Sequence, residues 1–363
     1  MVPRRFFLLF DGSGQRATAP QNIIPTNITR MNQALTYGFE RVPQIFHYFS
    51  GVGTHGDVSS AITGRGFDDI IIDGYVNIAS NYTEGDSIYM FGFSRGAAVA
   101  LALCHLISQI GILSADQLGH FPHAWRLFFD PPSSEAERWM ARKNLGQLIF
   151  MRPRVSFLGL FDTVPGYNWD SLGLFTAARI PNTSMPACVD HVVHILCIDD
   201  NRNPQFEPLV LDPASNSPSQ TLEQIWMPGV HSDIGGSSDG RFLGNISLLT
   251  MLSRLEHYCP EVEQDSNEVT SVNEETMAID KISISDERSG LSSLIGKHSR
   301  RISVNPTTFA HPVLDALIGK RLWIRDRLQP YLPNNVPAKL PRLSLAGFDD
   351  WMTNIERILN RSS

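Results

Sequence analysis

The chain has 363 residues, 42% of them hydrophobic and 18% charged, which suits a soluble globular protein with one large domain or two ordinary ones. Its 30 Lys and Arg against 37 Asp and Glu give a net charge of −7, which argues against a nucleic-acid partner because such proteins usually present a basic face. The four cysteines form no C-x-x-C pair and we find no metal-ligand spacing, so we expect no disulfide framework, metal or other cofactor.

The first apolar run, residues 6–10, follows two arginines and ends at Asp11-Gly12. It is too short for the core of a signal peptide, so we interpret it as a buried strand and expect a cytoplasmic protein. The longest other apolar run, residues 97–113, contains polar residues and is short for a membrane span, so we interpret it as a buried helix.

Strand-like and helix-like segments alternate over the first 260 residues. Several strand candidates are nearly continuous apolar runs, as expected for a parallel sheet covered on both faces. The alternation predicts an α/β-hydrolase-like, doubly wound and mostly parallel α/β sheet. The predicted strands are 6–10, 45–49, 87–91, 155–161, 191–198 and 224–227, and the predicted helices are 27–37, 67–81, 95–110 and 246–257.

Residues 92–96 have the sequence Gly-Phe-Ser-Arg-Gly, a G-x-S-x-G pattern between an apolar run and a run of alanines. The pattern is short and occurs often by chance, so Ser94 could be only a polar residue in a tight turn. The strand–turn–helix context favours a nucleophile elbow that presents the Ser94 hydroxyl at the carboxyl edge of the sheet. The backbone N–H of Arg95 would then be one oxyanion donor.

Residues 114–150 carry aromatic side chains at helix-like spacing directly after the helix that follows Ser94. Such a stripe is more often ordinary core than a lipid-facing cover. Its position is nevertheless where a lid could cover an apolar acyl pocket. The aromatic residues concerned are Phe121, Trp125, Phe128, Phe129 and Trp139.

A serine nucleophile needs a base and an orienting acid, which in this fold class follow in the chain order Ser, Asp or Glu, His. Asp162 ends one apolar strand and His231 lies in a glycine-rich turn after another, so both sit beyond strand ends. Asp162 could instead cap the next turn. Asp199 ends the strand before the histidine strand and is the rival acid.

Two further residues are candidates for lining the site. His55 lies on a glycine-rich loop, and Asp233, two residues after His231, could orient its loop through backbone N–H groups. His191 and His194 lie within a predicted strand, and we expect them to be packed or on the surface.

The chain changes character after residue 260. Residues 261–304 are acidic, polar and poor in large apolar side chains, which predicts a flexible insert. Residues 305–363 become apolar again and are expected to form a C-terminal helical segment that packs on the core. The predicted organisation is an α/β-hydrolase core over 1–260, with a possible lid at 114–150, followed by these two segments.

Seven stretches of the chain resemble, in order, motifs of the DUF2235 group of α/β hydrolases, which includes the Tle1-type phospholipase effectors of bacterial type VI secretion. The residues around 311–337 also look like the usual ending of that group. The serial combination is far more specific than G-x-S-x-G alone. The stretches are FDGSG (10–14), TNITRMNQAL (26–35), YFSGVGTHG (48–56), NYTEGDSIYMFGFSRGA (81–97), GLFDTVPG (159–166), HILCIDDNR (194–202) and WMPGVHSDIGG (226–236).

The resemblance implies a catalytic triad of Ser94, Asp162 and His231. It also implies that the second oxyanion N–H comes from Gly12 or Ser13, in a loop that begins at Asp11. The sequence departs from the group's pattern in residues 13–15, in residues 199–202 and in the serines that follow the glycines after His231. These departures leave the triad intact and affect the oxyanion loop and the fit of the substrate.

By this resemblance, the protein is expected to be a phospholipase or lipase that cleaves carboxylic esters of membrane lipid. The alternatives are a carboxylesterase on small soluble esters and a catalytically silent hydrolase fold that binds a partner. The expected partners are a lipid or ester substrate, a membrane surface, and a secretion-apparatus or immunity protein. Export by a signal-independent secretion system is compatible with the missing signal peptide.

Overall fold

The computed structural model describes residues 3–18, 24–35, 42–53, 65–129, 134–145, 150–165, 183–202, 206–213, 219–286, 299–345 and 348–361. Within them the central element is a seven-stranded sheet in which every pair of neighbouring strands is parallel. Its strands are β1 (Arg5–Phe10), β2 (Gln44–Phe49), β3 (Ser87–Phe93), β6 (Val155–Phe161), β7 (Val189–Cys197), β8 (Thr221–Met227) and β10 (Thr308–Ala310). Shorter pairings use β4 (Ile112–Leu113), β5 (Phe150–Met151), β9 (Ser283–Ile284), β11 (Arg321–Ile324) and β12 (Arg327–Pro330).

The spatial order of the sheet is β10-β8-β7-β6-β3-β1-β2. The chain therefore reverses its direction of travel across the sheet between β1 and β3. In open α/β sheets such a switch point leaves a crevice beyond the carboxyl ends of the strands, where ligands bind. Ser94 follows β3 directly, so the sheet order alone places it at this crevice.

Burial on both faces explains why the strands are continuous apolar runs. All six residues of β1 are buried. Phe7 and Leu9 belong to the apolar cluster on one face, whereas Phe6 and Leu8 belong to the cluster on the other. A sheet covered on both sides is the doubly wound α/β architecture predicted from the sequence, and that prediction is confirmed.

Helices cover both faces of the sheet. Those on the Phe6 face are α2 (Arg65–Asn81) and α3 (Arg95–Ile110), while α1 (Asn27–Ala34) and α7 (Arg241–Tyr258) pack on the Phe7 face. The other α-helices of the described residues are α4 (Phe121–Phe129), α5 (Glu135–Leu145), the short α6 (His231–Gly235), α8 (Ser266–Ala278), α9 (Val313–Leu317) and α10 (Phe348–Arg361), and a 3-10 helix spans Ala115–His120.

Helix α7 begins five residues before the predicted start at 246. Gly244 and Asn245 obscure the helical pattern in the sequence. In the fold, a Cβ on Gly244 would lie 2.9 Å from the Gly236 Cα, so the glycine allows α7 to approach the turn after α6. The buried Asn27 side chain donates to the Gly244 carbonyl at 3.0 Å.

The segment after α3 begins at the edge of the sheet away from Ser94. Helix α3 has 16 residues and leads away from Ser94 over about 24 Å. In the chain, β4 comes before α4 and α5, and β5 comes after them and leads into β6. Strands β4 and β5 pair antiparallel. Phe121 is buried and its ring lies 4.4 Å from that of Tyr75 in α2. These contacts support the core interpretation for Phe121, whereas Trp139 of the same stripe is 58% exposed, so the lid stays a prediction.

The polar segment 261–304 differs from the expected flexible insert where the structure describes it. Asp265 caps α8 by accepting from the Asn267 N–H at 2.9 Å, and Val272 and Thr276 bury one side of the helix. Strand β9 then pairs with β11 of the tail. A helix needs only a narrow apolar face to pack, so the polar composition concealed it.

The tail also differs from the helical segment that we expected. Its strand β10 is an edge strand of the main sheet beside β8, with Phe309 opposite Ile225. The tail therefore completes the core sheet as well as packing on it.

Candidate functional site

Ser94 occupies a strained turn between β3 and α3. Its backbone has φ 58° and ψ −123°, a conformation that costs free energy in a residue with a side chain. The turn is held because the Ser94 N–H donates to the Phe161 carbonyl at 3.0 Å. A Cβ on Gly92 would lie 2.5 Å from the Ala97 Cα, and one on Gly96 would lie 2.3 Å from the Phe10 carbonyl oxygen. The glycines of the G-x-S-x-G pattern are therefore required by close backbone approach.

A continuous hydrogen-bonded chain joins Ser94, His231 and Asp162. His231 Nε2 lies 2.8 Å from Ser94 Oγ, and its Nδ1 lies 2.6 Å from Asp162 Oδ2. All three residues are buried. The order and spacing are those of a nucleophile, a general base and an orienting acid.

Asp162 is fully buried and has positive φ, at 45°. Burial alone raises the pKa of this carboxyl, but the charge of Arg300 and the hydrogen bond and charge of His231 outweigh burial, so its pKa lies well below the usual range. The Cys197 N–H also donates to Oδ1 at 3.1 Å. An ionised carboxylate can only accept, so His231 Nδ1 carries the ring proton and Nε2 is left to accept from Ser94.

Arg300 was missed by the sequence reasoning. Its Nη1 lies 2.5 Å from Asp162 Oδ1 and its Nη2 lies 3.0 Å from Oδ2, so the pair is bidentate and buried. It comes from the segment predicted to be a flexible insert. No spacing or motif in the sequence relates residue 300 to residue 162.

Two aromatic rings flank the His231 imidazole. The Phe93 ring centroid is 4.8 Å away, and Phe206 meets the ring edge-on at 5.4 Å. The Arg202 guanidinium lies over the Phe206 ring, 3.5 Å from its centroid, and Asp200 holds that guanidinium through an ion pair of 2.5 Å. Two of the residues at 199–202, where the sequence departs from the group's pattern, thus support the ring that packs on the imidazole.

The predicted oxyanion donors come from two places, the start of α3 and the loop after β1, and their surroundings differ. Arg95 is the first residue of α3, so its N–H lies at the amino end of the helix, where developing negative charge is stabilised. The Gly12 N–H instead donates to Asp11 Oδ1 at 2.7 Å. In this conformation the Gly12 N–H is thus occupied by the Asp11 carboxylate, and its assignment as an oxyanion donor stays a prediction. Ser13 remains the candidate from this loop, and its buried Oγ has no hydrogen-bond partner among the described residues.

The Asp11 side chain is buried and hydrogen-bonded on several sides, and its place as a residue that lines the site stays a prediction. It accepts hydrogen bonds from Thr26 Oγ1 at 2.8 Å and from the Tyr48 hydroxyl at 2.5 Å. Burial raises the pKa of Asp11 despite these bonds. A Cβ on Gly51 would lie 1.7 Å from the Gly12 carbonyl oxygen, so the neighbouring loop also presses against this turn.

Asp199, the rival acid, is held elsewhere. Its Oδ2 accepts from the Gly229 N–H at 2.8 Å and from the Tyr331 hydroxyl at 2.9 Å. Burial raises the pKa of Asp199 to about 7. The carboxylate in contact with His231 is that of Asp162.

The other candidates from the sequence have structural surroundings. Asp233 accepts from the Val230 N–H at 2.9 Å, so it does orient the turn that carries His231. His194 is buried and its Nε2 accepts from the Thr163 N–H at 3.1 Å, while His191 stacks on Tyr258. His55 lies outside the described residues.

The described part of the chain contains no group of three or more His, Cys, Asp or Glu side chains placed to hold a metal ion. None of its helices combines the length and apolar character that crossing a membrane requires.

Comparisons with known proteins bear on the same region. A family model described as the catalytic domain of Tle1-like type VI secretion phospholipase effectors matches residues 4–254. An uncharacterized protein of Saccharomyces cerevisiae is 28% identical over 234 residues, which cover 58% of this chain and 33% of the yeast protein. The matched family region includes Ser94, Asp162 and His231 and ends before Arg300.

Two solved structures are similar to parts of the chain. An uncharacterized protein from Pseudomonas aeruginosa has a TM-score of 0.47 at 16% identity, over 76% of this chain and 48% of that one. A Tle1 effector, in a structure bound to the VgrG spike of the type VI secretion system, has a TM-score of 0.38 at 19% identity, over 66% of this chain and 52% of the effector. The chain thus spans about a third of the yeast relative and about half of each solved chain.

Proposed function

The chain belongs to the Tle1-like type VI secretion phospholipase effector family, and on that premise we propose that it is a serine hydrolase that cleaves carboxylic esters of membrane phospholipid. The observation that carries the proposal is the hydrogen-bonded chain from Ser94 through His231 to Asp162. It lies at the carboxyl edge of a parallel sheet, with the serine on a strained strand–turn–helix elbow. This is the arrangement that acyl transfer through a serine requires.

The proposed reaction has two halves. Ser94 Oγ attacks the ester carbonyl while His231 Nε2 takes its proton, and the same proton then goes to the leaving alcohol. Water next attacks the acyl-serine, with His231 again acting first as base and then as acid. Asp162 keeps the ring proton on Nδ1 and stabilises the imidazolium that forms in each half.

The tetrahedral oxyanion needs donors that are in place before the reaction. We assign these to the N–H of Arg95, at the start of α3, and to the N–H of Ser13, in the loop after β1. Close packing of Gly96 on the Phe10 carbonyl supports this assignment because it holds the two elements together. In our proposal the Gly12 N–H supports the loop through Asp11 and takes no part in the oxyanion hole.

The choice of phospholipid over a small soluble ester rests on family membership. So does the proposal that the protein meets a membrane surface, a secretion apparatus and an immunity protein, and that it leaves the cell without a cleaved signal. A carboxylesterase with the same triad is the alternative that experiment must separate.

The test is fatty-acid release from mixed phospholipid vesicles and hydrolysis of a short-chain ester, measured side by side. Ser94→Ala is expected to lose at least about 10³-fold on both substrates. Ser87→Ala, at the other end of β3, is the matched control and should keep full activity. Serine-dependent cleavage of the short ester alone would favour the esterase. Near-wild-type activity of Ser94→Ala would contradict the proposed mechanism.

A further inference from the structure

Arg300 contacts the proposed catalytic acid from outside the matched family region. It is 1% exposed and bridges several parts of the chain. Its guanidinium donates to both oxygens of Asp162, to the Cys197 carbonyl at 3.1 Å and to the Phe206 carbonyl at 2.8 Å. One side chain therefore ties the carboxylate to the end of β7 and to the residue that packs on His231.

The backbone of Arg300 is fixed as well. The Asn335 side chain donates to the Arg300 carbonyl at 3.2 Å and to the Ile198 carbonyl at 3.1 Å. The tail therefore anchors the arginine to the strand end beside Asp162. Arg300 Nε is buried without a partner among the described residues, so the arginine is buried at a cost that the Asp162 pair must offset.

We propose that Arg300 is a positioning residue that holds the Asp162 carboxylate ionised and correctly oriented toward His231. This inference rests on the proposed function of the Ser94–His231–Asp162 chain. Asp162 sits in a fully buried site where an isolated carboxyl would take up a proton. A planar, permanently charged guanidinium that binds both oxygens opposes that protonation and fixes the carboxylate plane.

The other charged and titratable groups near the pair do not replace this cation. The Cys197 Sγ lies 3.4 Å from Asp162 Oδ2, and burial raises the pKa of this thiol well above its usual value. Burial lowers the pKa of His194 to about 4, so its ring is neutral. Asp200 is paired with Arg202. Among the described groups, Arg300 is the permanently charged cation in direct contact with Asp162.

The charge of Arg300 has a second, opposite effect on the base. In the wild type, the positive Arg300, the ionised Asp162 and the neutral His231 together carry no net charge. A further proton would therefore give this buried group a net positive charge. Without the arginine the pair carries −1 in a buried site and binds that proton more tightly. The His231 ring must be neutral to accept from Ser94, so loss of the cation moves the acid limb of kcat/KM to higher pH.

The experiment compares Arg300→Met, Arg300→Lys and wild type across pH. Arg300→Met should raise the midpoint of the acid limb by about one pH unit or more. Arg300→Lys keeps the charge but not the two-pronged contact, so it should keep the wild-type midpoint while kcat falls about tenfold to a hundredfold. A purely structural arginine would change stability and leave the midpoint in place.

Arg254→Met is the matched control. Arg254 forms a buried two-bond contact with Glu223, at 2.8 and 2.6 Å, away from the site. This variant should lose stability and keep the wild-type acid limb. An unshifted midpoint in a folded Arg300→Met overturns the proposal. If Arg300→Met does not fold, full kcat in Arg300→Lys overturns it instead.

A readout without substrate separates this inference from the proposed function. The His231 Nδ1 proton, bound to Asp162, is followed by proton NMR as a downfield resonance that His231→Gln should remove. At a fixed pH, Arg300→Met should displace or abolish this resonance, because the carboxylate is no longer held toward His231, while Arg254→Met should leave it in place. An unchanged resonance in Arg300→Met contradicts the role of the arginine, whereas a changed resonance without Ser94-dependent cleavage rejects only the proposed enzyme activity.

Discussion

Ser94 and Asp162 occupy equivalent positions on neighbouring parallel strands. Each follows the last residue of a register pair, Phe93 opposite Phe161, and each has positive φ, at 58° and 45°. The ladder continues one step, because the Ser94 N–H donates to the Phe161 carbonyl at 3.0 Å. Both residues therefore adopt a backbone conformation that is normally unfavourable. It turns their side chains to the same edge of the sheet, where His231 lies between them.

The identity of the acid gives the first prediction. Asp162→Asn should lower kcat by about 10³- to 10⁴-fold, because an amide beside Nδ1 favours the wrong ring tautomer. Asp199→Asn should leave kcat close to wild type, because an amide can keep the contacts to Gly229 and Tyr331. Steady-state kinetics on a short-chain ester measures both, and a large loss in Asp199→Asn with a small one in Asp162→Asn would reverse the assignment.

The pKa of Asp199 predicts a pH-dependent stability. Burial raises it to about 7 in the folded state from 3.8. Between these values the folded state holds a proton that the unfolded state has lost, so this carboxyl's contribution to stability is full below about pH 4 and is lost as pH rises toward 7. The slope is about 1.4 kcal/mol per pH unit.

Asp199→Asn replaces the titrating carboxyl with an amide that does not titrate. Comparing this variant with wild type therefore isolates the contribution of Asp199 to the pH dependence of stability. Its free energy of unfolding, relative to wild type, should rise between pH 5 and pH 7. Urea denaturation of both proteins at the two pH values measures the difference. Parallel changes in the two proteins would show that Asp199 is ionised in the fold throughout.

The close approach of α3 to β1 gives a prediction about the elbow. In Gly96→Ala the new methyl would lie 2.3 Å from the Phe10 carbonyl oxygen and 2.4 Å from that of Asp11. We expect a loss of about 1–3 kcal/mol in stability and a larger fractional loss of activity, because the oxyanion loop must move. Gly119→Ala meets nothing within 4 Å and is the control for both thermal unfolding and kcat.

The aromatic stripe gives a prediction that separates core from lid. Phe121 is 6% exposed and packs on Tyr75, so Phe121→Ala should cost about 3–5 kcal/mol in stability. Below its unfolding temperature, activity on vesicles and on the short ester should fall by the same factor. A loss of activity on vesicles alone would indicate that this segment acts as a lid.

Trp139 on α5 is the comparison for that experiment, since it is 58% exposed. Trp139→Ala should leave thermal stability unchanged because little apolar surface is lost from the core. Equal activity of this variant on both substrates is expected. A drop on vesicles alone would indicate that α5 contacts the membrane.

Local pattern was sufficient to predict most of the sheet and to place the three residues of the proposed triad among the candidates. Continuous apolar runs predict strands buried on both faces, and glycines at 92 and 96 predict the elbow at Ser94. Asp162 and His231 could be found because each directly follows a strand, and parallel strands bring their carboxyl ends to one edge. The choice between Asp162 and Asp199 could not be made from the residues alone, because both follow strands.

What the sequence by itself determined was the order of strands and helices and the side chains at the strand ends, because these follow from short-range hydrophobic periodicity. What only the tertiary structure decided depends on contacts between distant segments. Arg300 meets Asp162 across 138 positions, and the Gly12 N–H turns to Asp11 because Thr26 and Tyr48 fix that carboxylate. Such pairings leave no periodic trace in the chain, since a charged residue in a polar segment looks the same whether it is solvated or buried against its partner.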